Sequence, residues 1–369
     1  MADKKPSIKE VAALAGVSTA TVSNVFSGAK PVNADLQKSV HAAAQKLGYQ
    51  IDRAASQLRS GRTRVVAVLV PDLTDIFFAT IVSSLENKAF AEGYDVIVAS
   101  SRNEKSVERS RLRALLAWRP AGLIVVPCSE VVPPELVALK NSLPMVLVDR
   151  VSSRNAIADT VTLDNRDAGE IAARHLLEMG HRDIVVAAST LKFPPIKERA
   201  DGASRIIGRY AGATASVLEL GTDLDEGRRI FSGWLERNPV PGAVIGLTNV
   251  TALSVLGSLM EHHIDIPNKT SFVAFDDYAW MSARKRGITA ISQPVDEIAA
   301  SAWKRLRFRM EQGYSENVHP TVLAASLVVR ASVRDNTKTF KPSKIDIDPR
   351  RDQADVLATA IKTDEGKIH

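Results

Sequence analysis

Polar and aromatic groups in this sequence gather where apolar runs end. VVAVLV (65–70) is followed by Asp72, Asp75, Phe77 and Phe78, and MVLV (145–148) by Asp149 and Arg150. AVIGL (243–247) is followed by Thr248 and Asn249, and SFVAF (271–275) by Asp276 and Asp277, with Trp280 four residues beyond Asp276. Arg199 follows the run that ends near Ser189 and is expected to open a helix. Carboxylates accept from vicinal hydroxyls, a guanidinium donates to a ring oxygen or a carboxylate, and an aromatic face stacks on C–H surface. Such a set suits the reversible grip of a polyhydroxylated ring. Plainer roles exist beside that one. Asp72 is expected to cap the next helix, and Asp277 either caps one or faces ligand. One of Phe77 and Phe78 lines the pocket while the other joins the core. Trp280 either roofs the ligand or packs on its own subdomain.

A second set of candidates lies in SIKEVAALAGVSTATVSNVFSG (7–28). Its spacing predicts two short helices meeting at a tight corner. Ile8, Val11, Ala12 and Ala15 fall at i, i+3, i+4 and i+7, one apolar stripe. Gly16 stands where a left-handed helix exit favours the residue without a Cβ, and Val17 can plug the angle. Ser18 can cap the second helix, in which Val22, Val25 and Phe26 point inward. The opposite face, Thr19, Ala20, Ser23, Asn24 and Ser27, is small, polar and free of carboxylates. A helix that enters the major groove needs such a face, slim enough to approach base edges and without charge that phosphates repel. Thr19, Ala20 and Asn24 are the candidates for base readout, Asn24 suiting adenine N6 and N7 and Ala20 a thymine methyl. Thr21, Ser23 and nearby lysines are the candidates for phosphate contact.

Charge supports that reading. The 369 residues carry a net +6, and the first 64 hold ten Lys/Arg against four acids, so the whole excess sits with the two-helix motif. Phosphate binding leaves this footprint. The 45% hydrophobic and 24% charged content is that of an ordinary globular protein. No apolar run approaches the roughly 20 residues that span a bilayer, and MADKKPSIKE lacks the apolar core of a secretory signal. A cytoplasmic protein without a membrane partner is expected. The single cysteine, Cys128, follows an apolar run and is read as packing or pocket lining. GxGxxG, GxxxxGK[ST], HExxH and GxSxG are all missing, and His262-His263 has no third ligand in register. No enzyme, cofactor or metal ion is expected.

The elements that must hold these groups follow from periodicity. After the two-helix corner, Asn33 is placed to cap a third helix with Leu36, Val40, Ala43 and Leu47 on its apolar side, ended by Gly48. From Val65 onward, strands alternate with amphipathic helices in two consecutive series, which means βαβ units, parallel sheets and two similar subdomains. In such sheets ligands bind beyond the carboxyl ends of the strands, where the candidate groups lie.

The order VAALAGVSTATVSNVFSG, a third helix ending LGY, and the short Ala/Leu segment QIDRAASQLRSGRT (50–63) resembles the lactose-repressor (LacI/GalR) family. Further on, MVLVDR, VTLDNRDAGEIAARHLLEMGHRDI, FVAFDD and ITAISQP resemble the same family's effector domain, and DLTDIFF its first loop with Asp75-Ile76 in place of Asn-Pro. The resemblance implies an all-α helix-turn-helix N-terminal domain followed by an α/β two-subdomain effector domain like type I periplasmic binding proteins. Residues 1–49 then form the DNA-binding domain, 50–63 a hinge helix, 64–333 the effector-binding and dimerisation domain, and 334–369 a charged, flexible tail. It implies that Leu58 wedges into the minor groove with Ala55 on the same face and Arg59 beside it. Phe77, Asp149, Arg199, Asn249 and Asp276 are implied to contact the effector, and the residues themselves add Trp280. The expected protein is a homodimeric, sequence-specific transcriptional regulator, a repressor on a pseudo-palindromic operator. A small molecule, a sugar or sugar acid, is expected to control it.

Overall fold

The computed structural model describes residues 6–27, 30–49, 63–129, 131–151, 156–283, 285–313 and 317–337. The hinge candidates Ala55, Leu58 and Arg59, and the tail from 338, lie outside the described residues. The chain forms two compact units, Met1–Arg64 and Val65–His369.

In the first unit α1 (Ile8–Ala15), α2 (Thr19–Ser27) and α3 (Ala34–Leu47) close on Val11, Val22 and Val40, with Ala12, Ala43 and Ala44 beside them. The Glu10 carboxylate accepts from the Ser7 N–H and hydroxyl at the head of α1. Gly16 leaves that helix at φ 66°, and the Val17 N–H turns back to the Ala12 carbonyl. Asn33 caps α3 through the Asp35 N–H, and Gly48 ends it at φ 62°. Leu36 departs from its expected place and is 41% exposed. The Ser39 hydroxyl already reaches the carbonyl of Ala15, the last residue of α1, so the turn before it projects past that helix. The buried side of α3 is carried instead by Val40, Ala43 and Ala44.

The second unit holds two six-stranded sheets. The first comprises β1 (Val65–Val70), β2 (Asp95–Ser100), β3 (Gly122–Val125), β4 (Met145–Val148), β5 (Asp159–Leu163) and β11 (Pro320–Leu323), in the order β11-β5-β4-β3-β1-β2. The second comprises β6 (Asp183–Ala188), β7 (Thr214–Glu219), β8 (Ala243–Gly246), β9 (Ser271–Phe275), β10 (Thr289–Ser292) and β12 (Ser326–Val328), in the order β12-β10-β9-β8-β6-β7. Every pairing is parallel except β10 with β12.

Helices cover both faces of each sheet, as parallel sheets require. α4 (Ile76–Ala91) and α12 (Val295–Gln312) pack on one side of the first sheet, α5 (Lys105–Ala117) and α6 (Pro134–Leu139) on the other. α7 (Asn165–Glu178) and α8 (Pro194–Gly208) cover one side of the second sheet. The other side carries α9 (Leu224–Leu235), α10 (Asn249–Glu261) and the single turn α11 (Ala279–Ser282).

The chain crosses between subdomains three times: from β5 into α7, from β10 into α12, and from β11 into β12. These crossings lie side by side. The Asp164 N–H donates to the Leu323 carbonyl, and Ser292 pairs with Ser326.

β5 and β10 are absent from the sequence reading above. The polar letters of DTVTL disguise a strand that is nearly all buried. Asp159 can be buried there because Arg305 and Arg309 both reach it, with closest contacts of 2.6 Å, and the His319 N–H donates at 2.8 Å. Burial alone would raise the Asp159 carboxyl, but the hydrogen bonds from Arg309, His319 and Arg305 outweigh it and hold the group below the usual carboxylate range. A depressed carboxylate stabilises the fold above its unfolded value, about 4, and loses that contribution as the pH falls through the folded value. Asp159→Ala strands two guanidinium groups and should cost about 3–5 kcal/mol at pH 7. Urea unfolding should show a lower midpoint, with the gap to the parent closing below about pH 4.

Candidate functional site

The DNA-reading face is assembled as its residue types suggest. Ser18 Oγ accepts from the Thr21 N–H at 3.1 Å, capping α2. Val22 is buried, Val25 and Phe26 are half-buried, and the Phe26 ring lies against His41 and Tyr49. Thr19, Ala20 and Ser23 are exposed, while Asn24 is half-buried. Thr21 is half-buried too, and its hydroxyl is shared with Ser18 at 2.9 Å, so it shapes the corner as well as facing outward.

The second set converges at the carboxyl ends of the two sheets. Asp149 follows β4 and Asp276 follows β9, and both stand at φ 64°. The Asp149 N–H donates to the Val161 carbonyl of β5, and the Asp276 N–H to the Ile291 carbonyl of β10, both at 2.9 Å. The same left-handed step is therefore built twice, once in each subdomain. Left-handed non-glycine residues are uncommon, and they cluster at ligand sites where the surroundings hold them.

Arg199 lies between these two acids. It is 3% exposed, and its guanidinium stacks on the Phe275 ring 4.6 Å away. Nε donates to Asn165 Oδ1 and Nη1 to the Leu247 carbonyl, each at 2.9 Å. Contrary to expectation, Arg199 does not open its helix. α8 begins five residues earlier at Pro194-Pro195, because proline is tolerated in a first turn whose N–H groups have no helical partner. Two glycines set its position. A Cβ on Gly169 of α7 would come within 2.0 Å of the Arg199 carbonyl, and one on Gly202 of α8 within 2.1 Å of the Arg166 carbonyl. The two helices touch backbone to backbone at that point.

The remaining candidates sort unevenly. Phe77 and Phe78 are both buried with rings 5.2 Å apart, and it is Phe78 that the Arg150 guanidinium covers, at 5.4 Å. Trp280 packs against the second subdomain's core and donates Nε1–H to Asn249 Oδ1 at 3.2 Å. Asp72 does not cap α4; it accepts from the Thr74 N–H and hydroxyl, and the cap is Asp75, through the Phe77 N–H. Asp277 forms a two-pronged ion pair with Arg330. Cys128 is buried beside Glu108, and burial together with that acid pushes its thiol up to about 12. Its role is packing.

Several groups were not assigned from sequence. Arg150 lies between Phe78 of the first subdomain and Phe193 of the second, 3.8 Å from the latter ring, with Nη1 donating to Asn103 Oδ1. Gln293, on a crossing, donates to Asp276 Oδ1, and Tyr278 follows two residues after Asp276. Gln293 follows a strand that went unread, and Tyr278 follows two louder acids.

Electrostatics ties the cluster together. Burial raises Asp75, Asp149 and Asp276, with Arg150 and Arg199 opposing, and burial lowers both arginines, with the acids opposing. A cavity of about 540 Å³ opens here, lined by Asp149, Thr162, Asp164, Asn165, Arg166 and Glu198 among others. A smaller one, about 300 Å³, lies around Pro144, Met145 and Arg309 and holds none of these groups. Among the described residues no group of three His, Cys, Asp or Glu is arranged to hold a metal ion, and no helix is long and apolar enough to cross a membrane.

Residues 7–52 match the bacterial regulatory proteins of the lacI family, and 173–333 match the periplasmic binding protein-like domain. The HTH-type transcriptional regulator PtxS of Pseudomonas putida is 31% identical over 335 residues, covering 90% of this chain and 97% of its own. The chain belongs to the LacI family. The HTH-type transcriptional repressor PurR of Pectobacterium atrosepticum is 29% identical over 343 residues, covering 89% of this chain and 98% of its own. The crystal structure of the lac repressor dimer bound to operator and the anti-inducer ONPF superposes with a TM-score of 0.78 at 25% identity, covering 90% and 100% of the two chains. This protein is a DNA-binding transcriptional regulator, not an enzyme.

The regulator's α7–α8 contact is directly testable. Gly202→Ala should overpack it and destabilise by about 1–3 kcal/mol in urea unfolding. Gly208→Ala, where a Cβ meets nothing within 4 Å, should be neutral or stabilising by up to about 1 kcal/mol. Equal midpoints for the two variants would disprove the contact's role.

Proposed function

We propose that this regulator is a homodimeric repressor whose two α2 helices read successive major grooves of a pseudo-palindromic operator. A small polyhydroxylated effector, a sugar or sugar acid, in the cleft between the subdomains controls its affinity. One observation carries the reading. Arg199 is buried among Asp149 of the first subdomain and Asp276 of the second, so a ligand that engages it meets both halves at once. Asp149, Arg199, Asn249 and Asp276 would contact the effector. Phe78 and Arg150 replace Phe77 at the aromatic wall, and Trp280 orients Asn249. The regulator would act in the cytoplasm, where its DNA is.

Control works by population shift. An effector that prefers one arrangement of the subdomains biases the three crossings and hence the end of the first sheet where the chain arrives from residues 50–63. Coupling of roughly 1–3 kcal/mol changes operator affinity about 5- to 150-fold. The opposite strand-end groups supply the differential contacts that such a shift requires.

Two measurements test this. Asn24→Ala should lose about 1–3 kcal/mol of specific affinity in gel shifts on DNA upstream of the regulator's own gene, with little change on unrelated DNA. An unchanged operator affinity would refute base readout by Asn24. Arg199→Met should still retard operator DNA but lose any thermal stabilisation by the sugar that stabilises the parent. A stabilisation equal to the parent's would remove Arg199 from the site.

A further inference from the structure

The cleft's capacity to hold an anion is already spent on the chain's own side chains. Helix N-termini are the usual anion sites, since their first N–H groups lack helical partners and the dipole favours negative charge. Here Asp75 caps α4, Asp164 caps α7, and the Asp276 carboxylate accepts from the Asn249 N–H at the head of α10. α8 begins with two prolines, which have no N–H to offer. α12 carries Asp296 and Glu297 in its first turn.

The arginines are committed as well. Recognition of a carboxylate or phosphate is strongest through two parallel N–H groups of one guanidinium. Arg199 has given Nε to Asn165 and Nη1 to Leu247, so neither edge of its fork is free. Arg150 is flanked by the Phe78 and Phe193 rings and donates Nη1 to Asn103. Three buried carboxylates, Asp75, Asp149 and Asp276, face these two cations. At the mouth, Asp164 and Glu198 face Arg166. A ligand bearing negative charge would deepen an existing excess in a poorly solvated site.

What the cleft lacks is donors. Tyr278 Oη and Gln293 Oε1 are buried without a hydrogen-bond partner among the described residues. The Asp149 carboxylate has only Arg150 Nε, 4.0 Å away. Gln293 is 8% exposed, and its amide nitrogen is held by Asp276, which fixes its oxygen as an acceptor. Buried acceptors left unmatched are costly, so a ligand that supplies O–H groups to them gains affinity and specificity.

We propose that the cleft selects an uncharged polyol or neutral sugar and rejects sugar acids and sugar phosphates, with Tyr278 and Gln293 joining Asp149 in taking the ligand's hydroxyls. The proposal rests on the cleft being the effector site. The test is a thermal-shift and calorimetric screen of the full chain against ribose, xylose, glucose, galactose, fructose and their alditols. The aldonates and terminal phosphates of the same sugars form the second arm. Binding is expected among neutral members only, with matched anions at least about tenfold weaker. Tyr278→Phe should weaken the bound sugar about tenfold, yet bind the deoxy analogue lacking the matching hydroxyl as the parent does.

An aldonate or phosphate that binds as tightly as its neutral parent, and loses binding in Arg199→Met, overturns the inference while leaving the cleft as the effector site. A neutral sugar whose binding survives both Arg199→Met and the near-isosteric Asp149→Asn overturns the cleft reading beneath it. Failure of every neutral member to bind also overturns the inference.

Discussion

A guanidinium withdrawn from water has to be surrounded by acceptors and counter-charge, and in this regulator that requirement falls on Arg199. Its partners come from everywhere around it: a side chain at the head of α7, a backbone carbonyl at the end of β8, and carboxylates after β4 and β9. Loss of one such partner leaves an uncompensated buried charge, a far larger penalty than the pair's net contribution. The two subdomains therefore share one electrostatic problem. Their relative arrangement is coupled to how it is solved, which makes the cluster sensitive to a small ligand.

The duplicated strand-end step explains why the solution is symmetric in kind but not in detail. Asp149 and Asp276 leave their strands in the same left-handed conformation, each held by the neighbouring strand. Asp276 is then clasped by Gln293 and the head of α10. Asp149 has no comparable clasp. The second subdomain presents a finished acceptor set, and the first presents one that ligand completes.

Much of this was legible in the sequence, for physical reasons. Helix caps and exits at Ser18, Asn33, Gly16 and Gly48 follow from local hydrogen bonding and φ, which a few residues determine. The acids and amide at strand ends stand out because apolar runs stop abruptly there. What escaped depends on partners far along the chain. DTVTL is a buried strand only because Arg305 and Arg309 arrive from α12 to neutralise Asp159. Leu36 is exposed because α1 ends before reaching it. The choice of Asp75 over Asp72 as cap turns on one residue of loop geometry. Arg150 gains its place from Phe193 in the other subdomain, a contact no local pattern announces.

The three side-by-side crossings have a mechanical consequence. A single strand of chain between two bodies is a swivel, free in every direction. Three parallel strands stitched by the Asp164–Leu323 hydrogen bond and the Ser292–Ser326 pairing behave as a leaf spring, compliant in bending and stiff in torsion. Work done by a bound molecule is then channelled into one coordinate instead of being dissipated over many. The lever is geared before any ligand arrives.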